Sequence, residues 1–238
     1  MTDYNYEEFA AKDYDLDQFS GPKPGSKAPD FALGTPEGGT RTLLDFSADF
    51  LVLELGSLTC PLFQSRRTAM AKSAAQFPNA EFVVLYVREA HPGSAIPAHV
   101  DAAAKQACAQ TLKTKDGEGR RILVDNLAGD AHQAYGGYPN SVFIINKSGC
   151  VLYRSDWNNP TSTARALADL AAGRSVRSDA YFRPPRPDIA VATLRRSGRG
   201  AVADFLHGLP RLIWKNLIKR NLRLLFGRHI SVGADARC

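Results

Sequence analysis

The sequence predicts an α/β fold in which short buried strands alternate with helices. Residues 50 to 55 (FLVLEL) form an almost continuous apolar run that is too short for a helix and ends at Gly56. Residues 64 to 77 then have helical composition and stop at a Phe-Pro-Asn sequence, and a second apolar run follows at residues 81 to 87 (EFVVLYV). This alternation is typical of α/β domains.

The elements that flank this unit complete a thioredoxin-like order. We predict a hairpin (28–33 and 40–46), an Ala-rich helix (97–112), a strand (121–124), a short helix (130–135), a second hairpin (141–146 and 151–154) and a closing helix (161–172). Gly173 is a suitable stop for the closing helix. Strand–helix alternation followed by a hairpin and a helix describes a thioredoxin-like α/β domain.

Charge divides the chain of 238 residues into an acidic part and a basic part. Residues 1–182 carry 18 Lys/Arg against 21 Asp/Glu, whereas residues 183–238 carry 12 against 3, and a Pro/Arg-rich linker lies between them. We therefore predict an acidic N-terminal segment (1–21), a thioredoxin-like domain (22–182) and a basic extension (183–238). No internal repeat is evident in the sequence.

Composition excludes several classes of protein. The sequence has no apolar stretch of 18 residues, so an ordinary transmembrane helix is not expected. The acidic N-terminus lacks the apolar segment of a secretory signal. Four cysteines show neither disulfide-framework nor zinc-site spacing, which predicts a reduced, cytoplasmic chain without a metal. They are Cys60, Cys108, Cys150 and Cys238.

Cys60 is the candidate nucleophile. It follows the first apolar strand and a short Gly/Ser/Thr turn, and it precedes Pro61, a residue suited to the first turn of a helix. The free N–H groups and the dipole of that helix would lower the thiol pKa and favour the thiolate. The alternative is a small buried residue without reactivity.

Two further residues have a place in a thioredoxin-like site. Glu54 lies six residues before Cys60 within an apolar strand, where it is either a buried acid that relays protons to the thiol or a solvent-facing glutamate. Pro139 directly precedes the 141–146 strand. Thioredoxin-like folds have a cis-proline there against the reactive thiol, so we expect a cis peptide rather than the commoner trans form.

Four motifs in order resemble the iodothyronine deiodinase family. Residues 56–63 (GSLTCPLF) are similar to the selenocysteine motif of that family, with Cys60 at the selenocysteine position. Residues 86–92 (YVREAHP) resemble its Glu-Ala-His segment, and residues 96–99 (IPAH) and 134–139 (AYGGYP) match further segments. The resemblance covers about residues 22–172.

The resemblance implies a reaction and a set of site residues. It implies thiol-dependent reductive dehalogenation of iodinated phenols, or related thiol redox chemistry, with no bound cofactor and with a small thiol or thioredoxin as reductant. The implied catalytic residues are Cys60, Ser57, His91, Glu89 and Glu54, with Glu89 fixing His91. The implied substrate contacts are His99, Thr59, Pro139 and Phe63. A histidine just after a strand, beside the thiol turn, is well placed as a general acid, although both histidines would also suit a surface.

Departures from related families keep alternatives open. Deiodinases carry an arginine where this chain has Ser141, which weakens the expectation of a carboxylated thyronine substrate. A peroxiredoxin-like thiol peroxidase is the second hypothesis, but Leu53 replaces its upstream proline and residues 135–146 lack its arginine. Phe63 replaces the second cysteine of a dithiol thioredoxin. A third hypothesis is a non-catalytic thioredoxin-like binding module.

The basic extension contains an amphipathic helix at residues 209–226. One face carries apolar residues and the other carries Lys215, Lys219, Arg220 and Arg223. This pattern suits an anionic membrane surface and a peripheral membrane location. A helix docked on the core or on a second subunit, as in a homodimer, is the alternative. Nucleic-acid binding is not expected, because no recognised motif accompanies the charge.

Overall fold

The computed structural model describes residues 4–227 and 230–238 and centres on a seven-stranded mixed sheet. In spatial order the strands are β2 (Thr40–Thr42), β1 (Ala32–Gly34), β5 (Arg121–Val124), β4 (Ala80–Tyr86), β3 (Phe50–Gly56), β6 (Val142–Asn146) and β7 (Val151–Ser155). Strands β3, β4 and β5 are mutually parallel, whereas β6 runs antiparallel to β3, β7 antiparallel to β6, and β1 antiparallel to both β2 and β5. This is the predicted thioredoxin-like fold.

Strand β3 is buried along its whole length because both faces of the sheet are covered. Val52 packs in a cluster with Met70 and Leu167 of two helices on one face. Leu53 points to the opposite face and packs with Tyr135 and Phe143. Such two-sided burial explains why the strand reads as a nearly continuous apolar run rather than an alternating one.

The helices of the domain are α1 (Pro61–Gln76), α2 (Ala102–Thr114), α3 (Asp130–Ala134) and α4 (Pro160–Ala171). All but α3 begin at a residue whose side chain caps the helix. The predicted start of α2 at residue 97 is wrong, because the Asp101 side chain accepts the N–H of Ala104 at 2.7 Å and caps the helix there. His99 consequently lies in the loop before α2.

The C-terminal extension is more helical than the sequence predicted. It contains α5 (Pro187–Ser197) and then a continuous helix made of α6 (Ala201–Leu212), a π-helical stretch (Ile213–Arg220) and α7 (Asn221–Phe226). Helix α5 begins with Pro187. It was not predicted, because the sequence around its start is rich in Pro and Arg. A two-stranded sheet pairs β8 (Val176–Arg177) with β9 (Ser231–Val232).

Both terminal segments pack on the central domain. Phe9, Tyr14 and Leu16 of the N-terminal segment are buried with Tyr138 and Trp157. Across the described ranges, no helix combines the length and the hydrophobicity needed to span a bilayer. The domain boundaries stay predictions, and residues 1–3 of the N-terminal segment and 228–229 of the extension lie outside the described residues.

Charge pairs hold the C-terminal helix against the N-terminal segment. Asp17 accepts hydrogen bonds from Lys215 and Lys219, and Arg223 lies 3.6 Å away. The hydrogen bond from Lys215 is the largest of the effects that lower the Asp17 pKa. The extension thus adopts the docked arrangement that the sequence left as the alternative.

Candidate active site

Cys60 lies at the N-terminus of α1, as its sequence context predicts. It is the N-cap residue of that helix, and its sulfur lies 3.5 Å from the Phe63 backbone N–H. Gly56 permits the turn that leads to it, because a Cβ on Gly56 would lie 2.3 Å from the Phe63 ring. Phe63 is therefore a packing residue beneath the turn.

Burial reverses the expected effect of the helix on the thiol. Cys60 is 1% exposed, and burial raises its pKa to about 12. The Phe63 N–H and the Arg66 charge act in the opposite direction but do not compensate. The expectation of a low pKa is wrong for this conformation, in which the thiol is protonated at neutral pH.

A cavity of about 120 Å³ opens over Cys60. From the central domain it is lined by Cys60, His91, Pro139 and Trp157. Its other walls come from the N-terminal segment, through Phe9, and from the C-terminal extension. The tertiary fold therefore places Cys60 and His91 in one partly open apolar cavity.

His91 is an uncharged imidazole in this cavity. Its ring centroid lies 4.2 Å from that of Phe9 and 5.4 Å from that of Phe205. Burial lowers its pKa to about 3, so it is neutral at physiological pH. Its Nδ1 is buried without a hydrogen-bond partner among the described residues. A neutral imidazole can accept a proton from a thiol and then donate it. It cannot act as a general acid before it has accepted that proton.

Glu89 organises the loop that carries His91. Its Oε2 accepts the hydroxyl of Thr59 at 2.6 Å and the Thr59 N–H at 2.9 Å, while its Oε1 accepts Tyr86 Oη–H and lies 3.2 Å from His99 Nε2. Burial alone would raise the Glu89 pKa, but these hydrogen bonds, led by that of His99, leave it lowered. Thr59 Oγ1 in turn accepts the His91 N–H at 3.1 Å. Glu89 therefore positions His91 through Thr59.

Ser57 supports the same loop from the other side. Its hydroxyl accepts the Ala90 N–H at 3.3 Å, and its carbonyl accepts the side-chain amide of Gln64 at 3.2 Å. These bonds connect the turn before Cys60 to the residue before His91. Cys60 and His91, which both line the cavity, are thus held by one network of hydrogen bonds.

Glu54 is a fully buried ion-pair partner. Its carboxylate accepts hydrogen bonds from Arg120 at 2.6 Å, from Asn158 at 2.6 Å and from Asn140 at 3.0 Å. The solvent-facing alternative is therefore wrong. These three hydrogen bonds occupy both carboxylate oxygens, so Glu54 is a structural partner of Arg120 in this conformation, and its role as a proton relay stays a prediction.

Pro139 lines the cavity but with a trans peptide. Residues 4–227 and 230–238 contain no cis peptide bond, so the cis expectation is wrong. The next residue, Asn140, bridges the site, because it donates to Glu54 and accepts Arg66 at 2.6 Å. The Asn140 side chain thereby joins the segment after Pro139 to both β3 and α1.

The family model for iodothyronine deiodinase matches residues 1–165 of the 238-residue chain. This chain belongs to the iodothyronine deiodinase family. Thyroxine 5-deiodinase of Rattus norvegicus is 28% identical over 152 residues, which cover 58% of this chain and 49% of the rat protein. That of Aquarana catesbeiana is 33% identical over 152 residues, which cover 58% of this chain and 56% of the frog protein. The chain thus spans about half the length of the curated relatives it matches.

A solved structure agrees on the fold of this deiodinase-family chain. A hypothetical protein from Sinorhizobium meliloti 1021 superposes with a TM-score of 0.52 at 19% identity, covering 69% of this chain and 91% of that protein. At this identity the likeness concerns the fold alone. The family assignment rests on the match to residues 1–165.

The deiodinase-family residues predicted from sequence separate into two groups. Cys60, His91 and Pro139 line the cavity. The others are buried without lining it: Ser57, Thr59, Glu89, His99, Glu54 and Phe63. His99 Nδ1 has no hydrogen-bond partner among the described atoms. Substrate contacts through His99, Thr59 and Phe63 stay predictions.

Sequence reasoning missed Arg66 and the walls of the cavity. Arg66 is buried on the inner face of α1 with Phe63, Met70 and Ser73, and its charge acts on Cys60. Their spacing of three and four residues is the helical core pattern, so this signal was present in the sequence. The contacts of Phe9 and Trp157 depend on distant segments and carry no local signal.

The cysteines differ from the reduced set that the sequence predicted. Cys150 and Cys238 form a disulfide with a Cα–Cα distance of 5.5 Å. Cys108 is free and lies on α2, and burial raises its pKa to about 11. Donor atoms of Glu89, His99 and Cys108 lie within 4.8 Å of one another and could approach a metal. The carboxylate of Glu89 is already hydrogen-bonded at both oxygens, which favours its positioning role.

Proposed function

We propose that this protein is a thiol-dependent oxidoreductase that removes iodine from phenolic rings, with Cys60 as the nucleophile. The observation that carries the proposal is that Cys60, at a helix N-terminus, and His91 line one apolar cavity in a chain of the deiodinase family. An apolar enclosure favours an aromatic substrate and keeps water from the reacting atoms.

The proposed reaction is a two-electron reduction of the carbon–iodine bond. The sulfur of Cys60 attacks iodine, an S–I bond forms, and the C–I bond breaks with both electrons left on the ring carbon. That carbon takes a proton. His91 accepts this proton from the Cys60 thiol and delivers it to the ring. The ring is thereby reduced, and Cys60 is oxidised to a sulfenyl iodide.

An external thiol restores Cys60. A first thiol attacks the Cys60 sulfur and releases iodide and a proton, and a second thiol releases Cys60 from the mixed disulfide. The net change is the oxidation of two thiols to one disulfide. Cys150 and Cys238 are bonded to each other and lie beside the end of β6 that pairs with the start of β3, whereas Cys60 follows the end of β3. They are therefore poor candidates for a thiol that reduces oxidised Cys60. A small thiol or thioredoxin is therefore the proposed reductant, and no cofactor is required.

Iodide release from an iodophenol in the presence of dithiothreitol tests the proposal. We expect Cys60→Ser to abolish release and His91→Ala to reduce it by about 10²–10⁴-fold, the usual effect of losing one proton-transfer group. Val191→Ala on the exposed side of α5 is the matched control. Iodide release by Cys60→Ser at the parent rate would contradict the proposal. Peroxide reduction without iodide release would favour the peroxidase alternative.

A non-catalytic binding module is the second candidate, and the burial of Cys60 favours it. A thiol with a pKa of about 12 is a poor nucleophile at pH 7. Ligand entry would have to change the environment of the thiol for turnover to occur. Absence of iodide release and peroxide reduction, together with retained ligand binding, would support this candidate.

We also propose peripheral docking on an anionic membrane from the cytoplasmic side. The outer side of the C-terminal helix exposes Leu206, Trp214, Ile218, Leu225 and Phe226, with exposed fractions of 40–82%. Basic residues flank this outer apolar face, and the 183–238 segment carries 12 Lys/Arg against 3 Asp/Glu. Apolar residues with Trp beside cations suit the interface of an anionic bilayer. The disulfide is the observation against a cytoplasmic location, since such bonds are rare there.

A further inference from the structure

The outer wall of the Cys60 cavity comes from outside the segment that matches the deiodinase family. Residues 1–165 supply Cys60, His91 and the N-terminal wall, whereas the extension supplies Phe205, Leu212 and Leu217, and Phe182 adjoins it just before the extension begins. The shape and chemistry of the cavity are therefore properties of this chain. They indicate which substrates it admits.

The cavity offers no charge to a ligand. None of the described residues that line it is an aspartate, glutamate, lysine or arginine. Cations of the covering helix are engaged elsewhere, because Lys215 donates to Asp17 and Arg220 donates to Asp156 at 2.7 Å. A charged group buried here would lose its hydration without gaining a partner, which is strongly unfavourable.

The cavity does offer one unsatisfied polar atom. His91 is 7% exposed, it lines the cavity, and its Nδ1 has no hydrogen-bond partner among the described residues. Buried polar atoms are nearly always hydrogen-bonded in folded proteins, and an orphan calls for an explanation. A neutral hydroxyl on a ligand would satisfy this nitrogen.

The volume limits the ligand to a single ring. The cavity measures about 120 Å³. This is less than the volume of about 150 Å³ of an apolar cavity that admits benzene, so there is no room for a second ring, and a single substituted ring enters only as the apolar walls move apart. The aromatic side chains of Phe9, Trp157, Phe182 and Phe205 surround this space and suit ring–ring packing.

From these observations we infer that the substrate is an uncharged halogenated phenol of one ring, and that the C-terminal extension excludes amino-acid-bearing iodophenols. This inference rests on the proposed function, since it names the substrate of the same cysteine. The hydroxyl accepts the Nδ1–H of the neutral His91 imidazole, which leaves Nε2 to take the Cys60 proton, and the halogen faces the Cys60 sulfur. The specificity arises because the extension contributes apolar side chains and no charged partner to the lining of the cavity.

A matched pair of substrates tests the inference on the full chain. The compounds 2-iodo-4-methylphenol and 3-iodotyrosine carry the same ring, hydroxyl and carbon–iodine bond, and they differ in the charged amino-acid group. We expect kcat/KM for iodide release to be at least 100-fold higher for the cresol. Equal values for the two compounds would overturn the inference and leave the proposed function standing.

Binding without turnover separates the two proposals. Calorimetry with the Cys60→Ser variant of the full chain should detect 4-methylphenol and not tyrosine. If 4-methylphenol binds but the parent protein releases no iodide from the cresol, the proposed function fails and the assignment of the cavity ligand stands. If 4-methylphenol does not bind, or tyrosine binds equally well, the inference fails.

A variant of the extension locates the ligand. Leu217 lines the cavity and is 41% exposed, so the Leu217→Trp change is expected to fold while its ring enters the cavity. It should weaken 4-methylphenol binding at least tenfold. Val191→Trp on the exposed side of α5 is the matched control and should leave binding unchanged. Undiminished binding in a folded Leu217→Trp protein would overturn the assignment, and the substrate comparison does not depend on this variant.

Discussion

At the scale of single residues, Cys60 experiences two opposing effects. The N-terminus of α1 presents the Phe63 N–H to its sulfur, which favours the thiolate. Removal from water favours the thiol and is the larger effect. The chemistry of Cys60 therefore depends on whether the cavity is closed, because the N–H groups persist when water enters but the burial penalty does not.

The pH dependence of alkylation tests this balance. Since the folded pKa is raised to about 12, the iodoacetamide rate of Cys60 should increase about tenfold per pH unit from pH 7 to pH 10 without a plateau. In denaturant the same residue should show an inflection near ~8.5. Rates are measured by mass spectrometry of the Cys60 peptide. A plateau below pH 9 in the native protein would contradict the closed state.

The buried pair of Glu54 and Arg120 tests the role of charge in the core. Glu54→Gln removes one of the two carboxylates that pair with Arg120, which keeps its hydrogen bonds to Glu118, and it should lower the free energy of unfolding by about 1.5–3 kcal/mol. Glu81→Gln breaks the more exposed pair with Arg121 and should cost about 1 kcal/mol or less. Urea denaturation of the two variants measures the difference. Equal losses would mean that the buried pair contributes no more to the free energy of unfolding than the more exposed pair.

At the scale of elements, the C-terminal helix is apolar on two sides. One side covers the cavity through Leu209, Leu212 and Leu217. The other is the outer apolar face, while polar residues such as Asn216 and Arg220 are buried. This arrangement is the opposite of a simple amphipathic helix, in which polar residues face water. Here Asn216 accepts Trp157 Nε1–H at 2.9 Å and Arg220 pairs with Asp156, so these polar residues face the protein. The outer face is left available for a membrane.

Vesicle binding tests that outer face. The parent chain should sediment with vesicles rich in anionic lipid, and binding should weaken with salt because the attraction is partly electrostatic. Trp214→Ser combined with Phe226→Ser should abolish sedimentation. Val191→Ser, on the exposed side of α5, should leave it unchanged. Salt-insensitive self-association without vesicle binding would instead assign the face to a homodimer.

At the scale of the whole molecule, the two ends of the chain close the site together. The N-terminal segment and the C-terminal helix meet through Asp17, and both line the cavity. Beyond the helix, Asn146 donates to the carbonyls of Ala234 and Ala236, and the disulfide then anchors Cys238 to Cys150. The extension is therefore part of the site, and truncation at Tyr181 would expose Cys60 rather than leave its chemistry intact.

The disulfide should stabilise the closed molecule. It joins residues 88 positions apart, and disulfides typically contribute about 2–4 kcal/mol. Cys238→Ser should lower the free energy of unfolding by this amount, and dithiothreitol should lower that of the parent chain equally. The variant itself should not respond to dithiothreitol. A parent chain that is indifferent to reduction would contradict a formed bridge.

Much of the site could be predicted because its signals are local. The strand–turn–helix sequence around Cys60 predicted its position at the start of α1, and the ordered motifs predicted the family. Asn159 and Asp101 cap helices through side chains that bind the backbone N–H three residues further along the chain. The start of α2 was nevertheless misplaced, since the Ala-rich composition extends on both sides of the Asp101 cap.

What the sequence by itself determined is the fold, the family and the position of the candidate nucleophile Cys60 at a helix N-terminus, because apolar periodicity and short motifs depend on neighbouring residues. Only the tertiary structure decided the state of that cysteine. Its burial depends on Phe9 and Leu212, which lie 51 and 152 positions away from it in the chain. Desolvation is set by everything that surrounds a group in space. A local pattern records the helix that would lower the pKa, but not the distant side chains that exclude water and raise it.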